Sequence, residues 1–385
     1  MGFCQNRGFR AKEVQVPDST PLETAIVAVP ETAGSALYGM VDVLSVTGNV
    51  WQTLTRAEPT PPPFRVRVVG VGRERFCCGN GIPVEPSAAI HEIDRADIVI
   101  LPELWLGPDE HVGGRYPGLI EWIRARHQAG ACVYSACSGA LMLAETGLLN
   151  GCDATSHWGY QDLFRRRYPQ VRFRPEPNLC FADPAGRIVT AGGTTSWHDL
   201  ALHIISRHVS PGEAMRIAKV YLLKWHDEGQ LPYEPLVRQQ PHTDAIVRDC
   251  ETWLREHFRE PGVVARVVGH ARIPERTLKR RFKQATGLAL IDYVQNLRIE
   301  EAKHLLETSD QAVDEICFAI GYEDPSFFRR LFKRRTGVAP ARYRRVFQPI
   351  HRGMPPHRGS EEQNPDRTQN LARRSDGRAG RDQVL

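Results

Sequence analysis

The stretch TSDQAVDEICFAIGYEDPSFFRRLFKRRTGVAPARYRR, residues 308–345, decides the fold of the C-terminal part of the chain. Its first half carries an apolar stripe at helical spacing, formed by Val313, Ile316, Cys317 and Ile320. A Gly-Tyr pair interrupts the stripe, and Asp324 followed by Pro325 is a typical helix start. Phe328 and Phe332, four residues apart, then give the next helix one apolar face. The stretch therefore predicts two helices joined by a short turn.

The same arrangement occurs once before, because RTLKRRFKQATG (276–287) aligns with SFFRRLFKRRTG (326–337). Leu278 and Phe282 stand where the second copy has Phe328 and Phe332, and both copies end in Thr-Gly. Pro274 opens the second helix of the first copy, and the stripe before it consists of Val263, Val264, Val267 and Val268. The sequence thus predicts two helix-turn-helix units of the same design.

Cationic and short polar side chains project away from these anchors in both copies. An apolar back and a front of Arg, Lys and short polar residues suit a helix that enters the DNA major groove. A single cationic helix face is explained by simple exposure to solvent. Two such faces that recur at a fixed offset of 50 residues are difficult to explain in that way. The predicted DNA-binding residues are Arg276, Thr277, Lys279, Arg280 and Lys283 in the first copy and Ser326, Arg329, Arg330, Lys333 and Arg334 in the second.

Together the two copies resemble the DNA-binding domain of the AraC/XylS family, in which a long helix joins two helix-turn-helix units. The joining helix would run from Ile291 to Leu306. The resemblance implies a sequence-specific transcriptional regulator that binds double-stranded promoter DNA and works with RNA polymerase. By position in the motif, base-reading residues fall on Arg276, Thr277, Lys279 and Arg280 and on Pro325, Ser326, Arg329 and Arg330. Pro325 departs from the usual polar residue at its position.

Short apolar runs alternate with helical patterns in the N-terminal part. The predicted strands are Thr24 to Val29, Phe64 to Val69, Asp97 to Leu101, Cys132 to Ser135 and Ile188 to Thr190. Several are almost continuously apolar, as parallel strands covered on both faces should be. The predicted helices between and after them include Tyr116 to Gln128, Ala140 to Thr146, Trp197 to Arg207 and Gly212 to Trp225. This rhythm predicts a flavodoxin-like α/β domain, a parallel sheet with helices on both faces, before the all-α domain.

Cys137 lies between a strand and a helix in ACVYSACSGALMLAETGLL, residues 131–149. At such an elbow the helix dipole is expected to lower the pKa of the thiol, which suits a nucleophile or a redox-sensitive residue. With DATSHW (153–158) and VTAGGTTSWHDLALHII (189–205), this segment resembles the PfpI-like, class I glutamine-amidotransferase-like domain. Such domains are fused to AraC-type DNA-binding domains in GlxA-type regulators.

The departures from the catalytic pattern favour binding over catalysis. Ser138 stands where enzymes of this superfamily have a histidine, and no glutamate is in register after the first strand, where Glu31 is only nearby. We therefore predict no catalytic residues and a noncatalytic pocket lined by Cys137, Ser138, His157, Trp158, Glu103 and Trp105. The Trp and Glu side chains suit a cationic effector, an amino acid or a quaternary amine. The alternative functions are an amidase-like hydrolase that uses Cys137 and a nucleoid protein that binds DNA without sequence preference.

Composition sets the remaining expectations. A chain of 385 residues exceeds one usual core, and the charge of +5 is concentrated in short cationic blocks. We predict a tail at 1–22, a sensing domain at 23–228, a linker at 229–242, a DNA-binding domain at 243–348 and a second tail at 349–385, both tails being disordered. The nine scattered cysteines and the lack of a signal or membrane segment favour a cytoplasmic protein with reduced thiols. We predict no metal, no cofactor and no membrane partner, and homodimerisation is compatible with this design.

Overall fold

The structure is a computed structural model and describes residues 20–237, 242–351 and 353. The chain forms two compact units that divide between Glu234 and Pro235, inside the predicted linker. The predicted tails fall mostly outside the described residues, as do positions 238–241 of the linker and Cys4. In the described part of the chain, none of the helices combines the length and apolar character that crossing a membrane requires.

The first unit alternates strands and helices along the chain. Its strands are β1 (Leu22–Val27), β2 (Phe64–Gly70), β3 (Phe76–Cys77), β4 (Pro83–Val84), β5 (Ala88–Ala89), β6 (Ile98–Leu101), β7 (Cys132–Ala136), β8 (Asp153–Ala154), β9 (Arg172–Phe173), β10 (Leu179–Phe181) and β11 (Ile188–Ala191). Its helices are α1 (Gly34–Ser45), α2 (Val50–Leu54), α3 (Pro117–Gln128), α4 (Gly139–Glu145), α5 (Gln161–Arg167), α6 (Trp197–His208) and α7 (Pro211–Tyr221). The five predicted strands are β1, β2, β6, β7 and β11.

These five strands form the centre of one seven-stranded sheet in the order β10-β11-β7-β6-β1-β2-β5. All neighbours in it pair in parallel except β10, which is antiparallel to β11. The central order β2-β1-β6-β7-β11 is the flavodoxin-like one. The predicted fold class is confirmed, and ligands of such sheets dock at the carboxyl ends of the strands.

Both faces of the sheet are covered, which explains the continuous apolar runs. Val99 and Leu101 of β6 point into a core shared with α3, α4 and α5. Ile98 and Ile100 point the other way, into a core shared with α1, α6 and α7. Because alternate side chains leave a strand on opposite faces, β6, which is covered on both, is apolar at every position.

Some predicted element ends are displaced by a few residues. Helix α7 was expected to reach Trp225, but it ends at Tyr221 because Leu222 takes a left-handed conformation with φ of +55°. β1 ends at Val27 rather than Val29, since the Val29 N–H donates to the Thr32 hydroxyl at 2.9 Å and not to a neighbouring strand. Local turn geometry, which periodicity does not encode, sets these ends.

The second unit is helical throughout its described residues. Its helices are α8 (Ala245–His257), α9 (Val263–Ala271), α10 (Glu275–Thr286), α11 (Leu290–Thr308), α12 (Val313–Ala319), α13 (Pro325–Thr336) and α14 (Pro340–His351). Helices α9 and α10 form the first helix-turn-helix unit, and α12 and α13 form the second. Each helix-turn-helix unit has its own apolar core, and the joining helix α11 contributes to both cores.

The Thr-Gly pair ends α10 and α13 in the same way. The hydroxyl of Thr286 donates to the Phe282 carbonyl at 2.8 Å, and that of Thr336 donates to the Phe332 carbonyl at 2.9 Å. The glycines that follow, at positions 287 and 337, have φ of +74° and +77°, which a residue with a side chain rarely adopts. The sequence repeat is therefore a repeat of structure down to its helix ends.

Candidate nucleic-acid interface and elbow site

Helices α10 and α13, the two recognition helices, are held by matching apolar anchors. The anchors are Leu278 and Phe282 in α10 and Phe328 and Phe332 in α13, and each of them is fully buried. Phe282 packs edge-on against Tyr293 of α11, with ring centroids 5.1 Å apart. Four anchors that leave no surface exposed fix the rotation of each helix about its own axis, and so decide which side chains face outward.

The structure turns the predicted DNA-binding side chains toward solvent. Nine of the ten are exposed, and Thr277 is half-buried. The exposed ones are Arg276, Lys279, Arg280, Lys283, Ser326, Arg329, Arg330, Lys333 and Arg334. In each unit, therefore, the polar front and the apolar anchors occupy opposite sides of the recognition helix. Asp324 starts α13 as predicted, since its carboxylate accepts from the backbone N–H groups of Ser326 and Phe327.

Two of these cations make surface ion pairs. The ammonium of Lys279 lies 2.5 Å from Glu275, and the guanidinium of Arg329 lies 2.5 Å from Asp314. All four side chains are about half exposed, so each pair contributes roughly 0–1 kcal/mol to stability. Either cation can therefore leave its partner for a phosphate or a base at little cost.

Two other arginines of the recognition helices are structural. Arg281 donates twice to the Asp244 carboxylate, at 2.7 and 2.8 Å, and this pairing lowers the pKa of Asp244, the first residue before α8. Arg335 donates to Asp292 and Gln295 of α11, at 2.5 and 3.1 Å. Neither belongs to the predicted DNA-binding set, and each instead ties its recognition helix to a neighbouring helix.

In the α/β unit, which ends at Glu234, Cys137 forms a sharp elbow between β7 and α4. Its φ of +52° is one that a non-glycine residue rarely takes. Two backbone bonds hold it, because its N–H donates to the Ala191 carbonyl at 3.0 Å and its own carbonyl accepts from the Ser156 hydroxyl at 2.7 Å. We call Cys137, Glu103 and Thr194, which meet at this point, the elbow site.

The thiol of Cys137 contacts a carboxylate. Its Sγ lies 3.5 Å from Oε1 of Glu103, which also accepts from the Thr194 hydroxyl at 2.9 Å. Burial and the neighbouring Glu103 raise the pKa of the Cys137 thiol, and burial raises the pKa of Glu103 as well. The expectation of a lowered thiol pKa was wrong: α4 has only seven residues, and desolvation outweighs its dipole. The thiol is also 1% exposed, not accessible as the redox hypothesis assumed.

Ser138, predicted to line the pocket, is fully buried behind the elbow. Its hydroxyl donates to the Leu104 carbonyl at 2.6 Å and accepts from the Leu104 N–H at 2.7 Å. It thereby fixes the loop that carries Glu103. Glu31 is not part of the elbow site, since it binds Arg115 and Tyr116 at 2.7 and 2.5 Å.

The aromatic candidates differ in exposure. The side chain of Trp105, two residues after Glu103, is exposed (59% for the residue), while its backbone N–H donates to the Glu31 carbonyl at 2.6 Å. His157 and Trp158 are half-buried and pack against each other with ring centroids 4.5 Å apart. The Nδ1 of His157 accepts from the Gly159 N–H at 3.0 Å, which fixes the imidazole at the start of a short helical turn.

Sequence reasoning did not single out Thr194. It follows β11 in the polar run GGTTSW (192–197), so the rule that sites form at the carboxyl ends of strands would have identified it. In the part of the chain that the structure describes, there is no group of three His, Cys, Asp or Glu residues able to hold a metal ion. The eight cysteines within the described ranges are all free thiols.

Comparison with known proteins matches both units. Residues 49–207 match the DJ-1/PfpI family, and residues 267–346 match a family described as a helix-turn-helix domain. The two matched ranges lie on opposite sides of the division between Glu234 and Pro235.

Two relatives align with more than half of this chain. The chain is 26% identical over 289 residues to the HTH-type transcriptional regulator CdhR of Pseudomonas aeruginosa, which covers 74% of this chain and 82% of the relative. It is 27% identical over 228 residues to the HTH-type transcriptional regulator GlxA of Rhizobium meliloti, which covers 58% of this chain and 68% of the relative. Among solved structures, an AraC family transcriptional regulator from Pseudomonas putida aligns with a TM-score of 0.42 and 16% identity, covering 52% of this chain and 100% of that one.

Proposed function

The chain joins a DJ-1/PfpI domain to an AraC-type helix-turn-helix domain, and from this premise we propose that it is a sequence-specific DNA-binding transcriptional regulator. One observation carries the proposal: two repeated helices, α10 and α13, each bury an apolar back and expose a front of arginine, lysine and serine. The relatives CdhR and GlxA are transcriptional regulators by name, which supports it.

The exposed side chains divide into two roles. Arginines can pair bidentately with the O6 and N7 atoms of guanine and so read sequence, whereas lysines neutralise phosphates. In this proposal Arg280 and Arg330, which occupy equivalent positions in the two units, read bases. Lys283 and Lys333 position the helices on the backbone. Two units on one chain engage successive major-groove segments about 34 Å apart.

Substitution of the base-reading arginines tests the proposal. We expect Arg280→Ala and Arg330→Ala each to cost about 1–3 kcal/mol of binding and to relax discrimination at one base pair. The measurement is titration of promoter DNA with footprinting, at several salt concentrations. Arg248→Ala, which removes an exposed arginine from α8, should leave sequence discrimination unchanged. Unchanged affinity and salt dependence in both recognition-helix variants would show that these helices do not enter the groove.

The proposal includes a noncatalytic, ligand-sensing role for the DJ-1/PfpI domain. Its elbow site combines a carboxylate, a hydroxyl and a thiol whose raised pKa keeps it protonated at neutral pH. A protonated thiol is a poor nucleophile, which argues against the amidase alternative. The Oε2 atom of Glu103 is buried without a partner among the described residues, so a ligand N–H group would satisfy it. The effector class that fits this atom is an amino acid or another amine that carries N–H groups. A quaternary amine has no N–H group, and in this proposal it is held by charge attraction to Glu103 and by contact with the exposed ring of Trp105.

Further partners follow from this role. A regulator of promoter activity acts with RNA polymerase and in the compartment of the chromosome, so we place the protein in the cytoplasm. Regulators on paired DNA sites commonly dimerise, and homodimerisation is part of the proposal.

A further inference from the structure

The two helix-turn-helix units have separate apolar cores, and one polar side chain of α11 lies between them. Leu297 packs against the core of the first unit, and Ile299 belongs to the core of the second. Arg298 stands between these two residues. Arg298 therefore lies at the boundary between the two cores.

The guanidinium of Arg298 binds carbonyls from both units. Its Nε donates to the Phe258 carbonyl at 2.7 Å, and its Nη2 donates to the Glu260 carbonyl at 3.1 Å, both in the loop between α8 and α9. Its Nη1 donates to the Gly321 carbonyl at 2.8 Å, in the turn that leads to α13. The group also lies 4.9 Å from the centroid of the Tyr322 ring. One planar side chain thus connects the loop before α9 to the turn before the second recognition helix.

Helix-end chemistry explains why an arginine suits this place. Phe258 is the C-cap of α8, so its carbonyl lacks an intrahelical partner, and Gly321 lies one residue past the C-cap of α12. The negative ends of two helix dipoles meet at one cation. The planar fork of arginine offers donors in three directions, which lysine cannot match.

The backbone at this junction is tightly packed. Gly321 has a φ of +86°, and a Cβ atom there would lie 2.1 Å from the Arg259 carbonyl oxygen of the first unit. Arg259 in turn forms an ion pair with Glu301 of α11. The turn of the second unit and the loop of the first therefore touch, and Arg298 binds both of them.

We propose that Arg298 is a positioning residue that sets the distance and angle between the two recognition helices, and so the spacing of DNA half-sites that the protein accepts. The inference rests on the proposed DNA-binding function. It does not require Arg298 to touch DNA. A change of one base pair rotates one half-site by about 34° relative to the other, so a rigid junction must discriminate between spacings.

The test uses duplexes selected from a random-sequence pool by the wild-type chain. Dissociation constants are measured for the selected duplex, for versions with either half-site scrambled, and for versions with one or two base pairs added or removed between the halves. The variants are Arg298→Met, which keeps an apolar stem, and Arg298→Lys, which keeps one donor. Arg281→Met is the matched control, because its Asp244 bond lies within the first unit.

We expect wild type to lose about tenfold or more in affinity with each wrong spacing. Arg298→Met should bind the selected duplex about tenfold more weakly, keep its affinity for single half-sites and lose the spacing preference. Arg298→Lys should be intermediate. Arg281→Met should weaken binding by the same factor at every spacing.

Several outcomes would overturn the inference. One is an Arg298→Met variant whose affinity depends on half-site spacing as that of the wild type does. Another is an equal loss of affinity for the full duplex and for the single half-sites, which would indicate only a structural role. If Arg298→Met does not fold, the profile of Arg298→Lys decides. A wild-type chain that tolerates every spacing refutes the inference alone, whereas a chain that enriches no sequence refutes the proposed function as well.

Discussion

Among the single residues of this protein, Cys137 shows how the environment of a side chain changes its chemistry. Cys137 retains the strained backbone of a nucleophile elbow, with φ of +52°. Its thiol, however, donates to Glu103 and is nearly inaccessible. Backbone strain persists when surrounding contacts over-determine it, whether or not the side chain reacts. At Cys137 the elbow brings the thiol against the Glu103 carboxylate and leaves it buried.

Glu103→Gln tests the proposed recognition of an amine at this site. A hydrogen bond to a charged carboxylate contributes about 1.5–3 kcal/mol, more than a hydrogen bond to the neutral amide of glutamine. We therefore expect the affinity for an amine effector to fall about tenfold or more. Calorimetric titration with a panel of amino acids measures it, and glycine betaine, which has no N–H group, tests charge attraction without the hydrogen bond. Glu110→Gln, an exposed change in the same loop, is the control. An absence of heat and of thermal shift in wild type with every compound would remove this effector class.

At the scale of elements, α6 places two histidines against the sheet. The Nε2 atom of His208 lies 2.8 Å from the Tyr134 hydroxyl oxygen of β7, and His203 packs edge-on against the Tyr134 ring. Burial, aided by the nearby Arg207, lowers the pKa of both His203 and His208 to about 4. Both imidazoles are therefore neutral in the folded protein at physiological pH.

This arrangement makes stability depend on pH. Between about pH 6.5 and 4, these histidines are protonated in the unfolded chain but neutral in the native protein. The free energy of unfolding therefore falls as the pH falls through this window. We expect a loss of roughly 3 kcal/mol per histidine at most. Urea unfolding at pH 7, 6 and 5 measures it, and His203→Gln combined with His208→Gln should flatten the decline. His91→Gln, an exposed change, should not. Identical pH slopes for wild type and the double variant would refute this assignment.

At the scale of the whole molecule, the junction between the units differs from a simple linker. Leu236 donates its N–H to Glu300 at 2.8 Å and accepts from the Asn296 amide at 3.0 Å, both on α11. Its side chain packs against the core of the second helix-turn-helix unit, and Val237 packs against that of the first. The helical unit therefore uses residues on the N-terminal side of position 243, where the sequence places the start of the DNA-binding domain.

Truncation tests this boundary. A fragment of residues 235–353 should unfold cooperatively and bind the DNA selected by the full chain, because both of its cores lie within it. A fragment of residues 243–353 loses the packing and the two hydrogen bonds of Leu236, and should be less stable by roughly 2 kcal/mol. Chemical unfolding of both fragments measures the difference. Leu236→Ala in the longer fragment should lose only the packing part, and equal stability of the two fragments would contradict the role of Leu236.

Much of the fold follows from patterns between near neighbours in the sequence. The apolar stripes, the continuous runs of the central strands, and the Asp-Pro and Thr-Gly helix ends all predict elements that the structure contains. They succeed because helix and strand periods, and the φ preferences of glycine and proline, act within a few residues. The same locality explains the displaced ends of α7 and β1, where Leu222 and Thr32 make turns that periodicity does not encode.

The amino-acid sequence alone thus determined the two-part architecture, the repeat and the outward cationic faces of α10 and α13. Only the tertiary structure decided that Glu103 meets Cys137 and Thr194, that the thiol pKa rises, and that Arg281, Arg335 and Arg298 hold the helical unit together. The physical reason is that desolvation and charge pairing depend on which distant residues come together. The sequence pattern of a helix therefore does not show whether one of its arginines faces solvent or binds the carbonyls of two other helices.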